Sequence, residues 1–362
     1  MIGKILGLGL IALFVVAIGL DLGDFEIPVV LWAIILAWSL TATAYAVIRA
    51  NMFVYVGKRL LEAVFVIWVI ATLTFGLLRF LPGGPFDAEK ALPPDIKANI
   101  EAKYGLHDPI MTQYGKYLVK TVQGDFGESY KYLGRNVTDI ILESFPASFQ
   151  LGIYSLLLAF IIGIPIGVFA ASKHNTLTDN ALMITAISGV ALPSFIVGPI
   201  LVMIFSFGIP FSSMYGLLPP ALWESPIYYI LPVITLGLRP AAIIARMTRS
   251  SMLDVIQSDF IRTAKAKGVA HRVVLFKHVL KNSLIPVLTI SGPLVAGILS
   301  GSFIVEVVFG IPGIGKHLIQ SVTNRDYPLV LGLTLVFSAM LVIANLIVDL
   351  LYTVVDPRIK LQ

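Results

Sequence analysis

Four stretches of the chain carry no Asp, Glu, Lys or Arg: Ser144 to Ser172, Ala181 to Trp223, Asn282 to Val305 and Tyr327 to Val348. Each exceeds the roughly 18 residues that a helix needs to cross a ~30 Å hydrocarbon layer. None shows the ~10-residue pieces with a polar residue at every second position that a membrane β-barrel strand would carry. The pattern predicts eight helical spans, at about 5–22, 28–48, 58–81, 146–171, 181–208, 226–247, 284–309 and 329–355. The expected fold is all-α, a polytopic helical membrane protein. Between the third and fourth spans, Pro82 to Phe145 mixes seven basic with nine acidic residues, as a translocated soluble subdomain would. Within it, "PPDIKANIEAKYG" predicts a short helix with Ile96, Ile100 and Tyr104 on one face and Gly105 as its stop.

Basic residues orient the spans. The segment from Arg246 to Lys281 holds eight Lys/Arg against Asp254 and Asp259, and the turn from Arg49 to Arg59 holds three and no acid. Both are expected to be cytoplasmic. The opposite side agrees: Asp21, Asp24 and Glu26 sit in a turn without Lys or Arg, and Glu224 is the sole charge between 209 and 225. Both termini are then cytoplasmic. The first apolar stretch, Ile5 to Leu20 behind Lys4, has the outline of a signal peptide. A second, Pro28 to Ile48, follows closely with no small-residue cleavage site between them, so a retained hairpin is expected.

Composition supports the same class. Hydrophobic residues make up 57% of the 362 and charged residues 13%, where ordinary soluble domains carry about a quarter charged. The net charge of +5 belongs to membrane loops, and no nucleic-acid partner is expected. The absence of Cys removes disulfides, thiolate catalysis and Cys-based metal sites. No cofactor or metal is expected.

One motif pulls the other way. "FGIPGIGKH", residues 309–317, meets the phosphate-binding pattern G-x-x-x-x-G-K but puts His317 where Ser or Thr would bind magnesium. The segment before it is an apolar span rather than a strand, and the loop falls on the side away from cytoplasmic ATP. A tight Gly/Pro turn that joins two spans and starts a short helix near Lys316 is the expectation.

Ionisable residues inside spans are costly and become candidates for function. Glu62 and Arg79 lie near the ends of one span and can reach the interface. Arg239, deep in the 226–247 span beside Pro240, either faces a pathway or pairs with Glu306. Asp349 is expected near the inner surface, pairing with Arg358 or a partner helix, and Asn345 reads as interhelical glue. An intramembrane hydrolase would want a Ser–His pair, paired aspartates or H-E-x-x-H; the five His residues fall in expected loops or at the surface, and that motif is missing. His271 and His278, seven apart, read as interfacial rather than metal-binding. An ion-coupled transporter would explain Arg239 and Glu306 but not the basic loop.

That loop contains "DFIRTAKAKGVAHRVVLFKHVLKNSLIPV". Phe260, Ile261, Ala264 and Gly268 are expected along one face of a short helix, flanked by Lys265 and Lys267, with Gly268 ending it in a left-handed conformation. From the residues alone, this helix either inserts into a groove on a cytoplasmic partner or rests on anionic lipid.

The same stretch resembles the "EAA" loop of ABC-importer permeases of the dipeptide/oligopeptide group. Aligned on Gly268, Ala264 and Leu280 match the general pattern E-A-A-x3-G-x9-I-x-L-P. Arg262, Thr263, His278 and Lys281 depart from it, while "RTAKAKG" and "HVLKNSLIPV" look like the peptide-importer version. "GKRLLEAV", "LRFLPGGPFD", "YGLHDPIMTQYGKYLVKTVQGDFGESY", "LPSF" at 192–195, "VVFGIPGIGKHLIQSVTNRDYPLVLG" and "DPRIK" extend the resemblance over about residues 52 to 361.

The resemblance implies a permease domain at 51–362, with an external segment at 82–145 and a cytoplasmic coupling loop at 246–282. The hairpin at 1–50 is extra to the usual six spans. It further implies a homologous second permease, two cytoplasmic ATPases that perform the hydrolysis, an external solute-binding protein, and a home in a prokaryotic cell membrane. Peptides are the expected cargo, with oligosaccharides or nickel chelates as the alternatives within the class. Phe260, Ile261, Ala264, Lys265 and Gly268 would couple to the ATPases. Ser194, Phe195, Arg239 and Glu306 are the candidates for the translocation path.

Overall fold

The computed structural model describes residues 53–80, 102, 104–207 and 216–355. The expected hairpin at 1–50, most of the expected helix in "PPDIKANIEAKYG", the Asp349 side chain and the "DPRIK" tail lie outside the described residues. Gly105 does take the left-handed φ of +64° expected of a helix stop.

The regular structure of the described residues is helical; their one β feature is an isolated bridge between Glu128 and Asn136. The helices are α1 (Phe53–Phe80), α2 (Ile110–Val122), α3 (Val137–Ser172), α4 (Leu177–Ala191), α5 (Ser194–Val202), α6 (Pro226–Ile256), α7 (Asp259–Ala266), α8 (Lys281–Phe309), α9 (Ile314–Thr323) and α10 (Tyr327–Val355). A π-helical turn, Met203–Phe207, extends α5; a turn at His271–Val273 and a π-helical stretch at Val274–Leu280 lead into α8. Among the described residues, five single helical stretches are long and apolar enough to cross a membrane: Val56–Phe80, Val137–Ser172, Pro226–Ile256, His271–Val295 and Tyr327–Ile347.

The span expected at 181–208 needs correction. It is two helices, α4 and α5, that meet at an angle of 106°. Pro193 has no N–H to donate and disfavours helical geometry in the residue before it. Leu192 accordingly sits at φ −90°, ψ 125°. Other helices overrun their expected limits. α3 begins nine residues early at Val137, α6 continues to Ile256, and the helical chain leading into α8 begins at His271. Most of the segment expected as a loop from 246 to 282 is therefore helical, and α7 is what remains between the two long helices.

α3 is the spine of the molecule. Four buried clusters succeed one another along it, built on Val137, Ile140 and Ile141, then Ala147 and Leu151, then Ala159, then Val168 and Ala171. It packs on α6 through small residues spaced by four, Ser155, Ala159, Gly163 and Gly167, against Gly237, Ala241, Ala245 and Thr248. The backbones approach so closely that a Cβ on Gly163 would lie 2.6 Å from the Ala241 carbonyl oxygen, and one on Gly167 2.5 Å from that of Ala245. Association inside a bilayer depends on such close packing, because lipid tails are as apolar as the side chains. α2 has no buried residue, and it is tied to α1 by a Thr72–Tyr114 hydroxyl hydrogen bond of 2.7 Å and a Phe75–Tyr117 ring stack.

Candidate functional site

Three places bring polar or exposed groups together: the short helix α7, a cleft beside Arg239, and the Gly-rich turn after α8. α7 begins after Ser258 and has Asp259 in its first turn, a favourable place for a negative charge. It stops because Gly268 takes φ +74°. The Gly268 N–H donates to the Lys265 carbonyl (3.0 Å) and the Val269 N–H to that of Ala264 (3.2 Å), the Schellman arrangement. The expected left-handed stop is present.

The expected common face is not. Ile261 is fully buried in a cluster with Val168, Ala171, Met252, Val274 and Val279, and the half-buried Ala264 packs against the same cluster. Phe260, Arg262, Thr263, Lys265, Ala266, Lys267 and Gly268 are exposed. Ile261 and Ala264 seat α7 on its own protein, while Phe260, Thr263, Lys265 and Ala266 face outward. Phe260, Val273 and Phe276 leave apolar surface exposed at this end of the molecule.

A brace that sequence reasoning missed stands beside this platform. Arg249 on α6 grips Asp179 in the first turn of α4 with two hydrogen bonds, 2.6 and 2.7 Å, and contacts His174 at 3.3 Å. The Asp179 carboxyl is almost completely buried and also accepts the Asn175 N–H at 3.0 Å. Such bidentate pairs fix orientation as well as charge. The partners are 70 positions apart, so no local signal links them.

Of the four path candidates, two come together. Ser194 and Arg239 line a cleft of about 380 Å³ between the α4–α5 break, α6 and α8, whose walls are otherwise largely apolar. Phe195 is exposed and is not among the residues lining this cleft. Glu306 is elsewhere too. Its carboxylate, fully buried, accepts the Ser148 hydroxyl at 2.8 Å and the Gly315 N–H at 2.8 Å, so the expected alternative of pairing with Arg239 is corrected.

This geometry also accounts for the phosphate-loop pattern at 310–316. The turn starts α9, as expected, and backbone N–H groups at a helix start attract an anion. Here that place is taken by the chain's own Glu306 carboxyl, and the Ser148 oxygen takes the Ile314 N–H at 2.9 Å. Gly315 is required by contact, since a Cβ there would lie 2.7 Å from the Phe303 Cα and 2.8 Å from Glu306. The signal, an acid one turn before a Gly-rich turn, is in the sequence but has no meaning until the turn folds back.

At the same end, Asp326 joins the 104–136 segment to α10. Its buried carboxylate accepts the Ser129 hydroxyl and the Tyr130 N–H (3.0 Å). Tyr130 packs between Tyr104 and Tyr327, and burial pushes its phenol up to about 12, so it stays neutral at physiological pH. Toward the two ends of α1, the exposed Glu62 pairs with Arg59 at 3.1 Å, and Arg79 lies over the Phe75 ring.

Comparison with known proteins matches two family profiles. Residues 163–361 match the binding-protein-dependent transport system inner membrane component, and residues 52–152 match the N-terminal part of that transport system's membrane component. The oligopeptide transport system permease protein OppB of Salmonella typhimurium is 46% identical over 311 residues, 85% of this chain and all of that one. The dipeptide transport system permease protein DppB of Bacillus subtilis is 43% identical over 308 residues, 85% of this chain and 98% of the other. Among solved structures, an inward-facing methionine ABC transporter, MetNI, aligns with a TM-score of 0.49 at 16% identity, over 60% of this chain and 96% of that one.

Proposed function

Because this chain belongs to the family of binding-protein-dependent transport system inner membrane components, we propose that it forms half of the membrane path of a peptide importer. A second, homologous permease would supply the other half. Two ATPases would bind the basic end, and a solute-binding protein would deliver cargo at the opposite end. Both termini and α7 would face the cytoplasm, in a prokaryotic cell membrane, with 82–145 outside. Hydrolysis of ATP belongs to the partner subunits.

The observation that carries the reading is α7 itself: a capped, separately exposed helix held on the core by Ile261, at the end where basic residues concentrate. A lipid-resting loop would need no rigid seat, whereas a lever does. ATP and loaded receptor must each prefer a different state of the pore, since equal binding to both shifts nothing. Phe260, Thr263, Lys265, Ala266 and Gly268 would meet the ATPase, and Ser194 and Arg239 would line the path. Peptide cargo is supported by the relatives named for oligopeptide and dipeptide transport.

Reconstitution tests this reading. Proteoliposomes holding this chain, its partner permease and both ATPases are expected to take up labelled tri- and tetrapeptides only with ATP and the solute-binding protein present. Uptake by this chain alone, driven by an ion gradient, would replace the proposal with a secondary transporter. Lys316→Ala is expected to leave nucleotide binding by the assembled complex unchanged.

A further inference from the structure

We infer that Arg239 docks the free C-terminal carboxylate of a passing peptide, an inference that rests on the peptide-importer reading. Arg239 lies about 20 Å along the α6 axis from Pro226, at 1.5 Å per residue. A guanidinium at such depth in a span is costly unless an anion or water meets it. The buried carboxylates described in this chain are engaged elsewhere. Glu306 holds Ser148 and the start of α9, Asp179 holds Arg249, and Asp326 holds Ser129 and Tyr130. Glu224 precedes α6, and Asp254 lies in the last turn of that helix, at the opposite end. Arg239 is exposed on the cleft, so any anion that meets it comes from outside the described residues and enters through that cleft.

The cleft has the features of a passage. Proline marks each helix pair around it: Pro193 breaks α4 from α5, while Pro240 and Pro293 lie inside the continuous α6 and α8 and remove a backbone donor from each. Irregular backbone at membrane depth persists where it lines a cavity. α5 starts at Ser194 on the cleft wall, so the positive end of its dipole adds to the Arg239 charge. Broken helices in other transporters present that end to the carboxylate of their substrate.

The chemistry narrows the ligand. A guanidinium offers a planar fork that matches a carboxylate through two parallel hydrogen bonds. Peptides of any sequence share one such group, the C-terminus, while their side chains vary and suit the apolar walls. The handle is thus independent of sequence, as a general peptide path requires. It must also be weak, because a site on a path has to release what it binds.

The test compares a tripeptide with its C-terminal amide, each at a concentration that saturates the receptor, in proteoliposomes of the whole complex. Arg239→Gln is expected to slow uptake of the free acid about tenfold and that of the amide less than twofold. Arg239→Lys, which keeps the charge but loses the fork, should retain part of the preference. Discrimination made by the receptor is the same in every variant and cancels from the ratio. The inference is overturned if Arg239→Gln slows both cargoes alike or neither. It is also overturned if that variant fails to assemble, for Arg239 then pairs with an acid of the second permease. Uptake of neither peptide by the unmodified complex would strike the peptide-importer reading itself.

Discussion

Glu306 shows how a membrane helix can hold a buried carboxylate without a cation. Its oxygens accept hydrogen bonds from a hydroxyl and from backbone N–H groups at the start of α9, whose partial positive charge faces them. Replacing Gly315 by Ala drives a Cβ into the Phe303 backbone, which cannot swing aside as a side-chain end can. Overpacking of this kind costs about 1–3 kcal/mol. Gly315→Ala is expected to lower the melting temperature of the purified chain by a few degrees, while Gly76→Ala, in open space, is expected to leave it unchanged or raised. Equal behaviour of the two variants would show that the turn is loose. The glycines of this turn were visible in the sequence as a phosphate-loop pattern, but their real partner was not. Nine positions separate Glu306 from Gly315, and only the fold-back joins them. Ile261 was misplaced for a related reason: helical spacing identifies an apolar stripe but does not say whether its own protein or a partner covers it.

At the scale of elements, the positions of the described spans were legible because lipid demands long uncharged runs. Their ends were not, because helices continue through polar residues once they leave the hydrocarbon layer, as α3 does back to Val137 and α6 does to Ile256. The α4–α5 break was marked by Pro193, yet a proline also occurs inside α3, α6 and α8 without separating them. What decides is whether neighbouring groups satisfy the freed backbone. The α3–α6 seam could have been read from Ser155, Ala159, Gly163 and Gly167 at intervals of four, whereas the Asp179–Arg249 brace could not. Gly163→Leu is expected to prevent the close approach of α3 and α6, costing about 1–3 kcal/mol or more. Thermal unfolding in detergent, or loss of folded protein from membranes, would reveal it; Gly57→Leu, with nothing near its Cβ, serves as the tolerant control. A Gly163→Leu chain as stable as the parent would mean that this seam does not hold the bundle together.

For the whole molecule, orientation follows from the distribution of basic residues, and the lack of Cys makes it easy to test. Lys316 and Lys267 are both exposed. Lys316→Cys is expected to react with an impermeant thiol reagent applied to intact cells, and Lys267→Cys only in inverted vesicles. The reverse pattern would turn the molecule over and remove α7 from the ATPases. The central claim is that α7 carries ATPase motion into the bundle through a seat anchored by Ile261. It is tested most directly by cross-linking in the assembled complex, with Ala266→Cys on the outward side of α7 and a short thiol-reactive linker. The account predicts a covalent product between this chain and an ATPase subunit, with none from Lys316→Cys at the other end. A complex that still transports peptide in response to ATP, but yields no such product from Ala266→Cys, would contradict it.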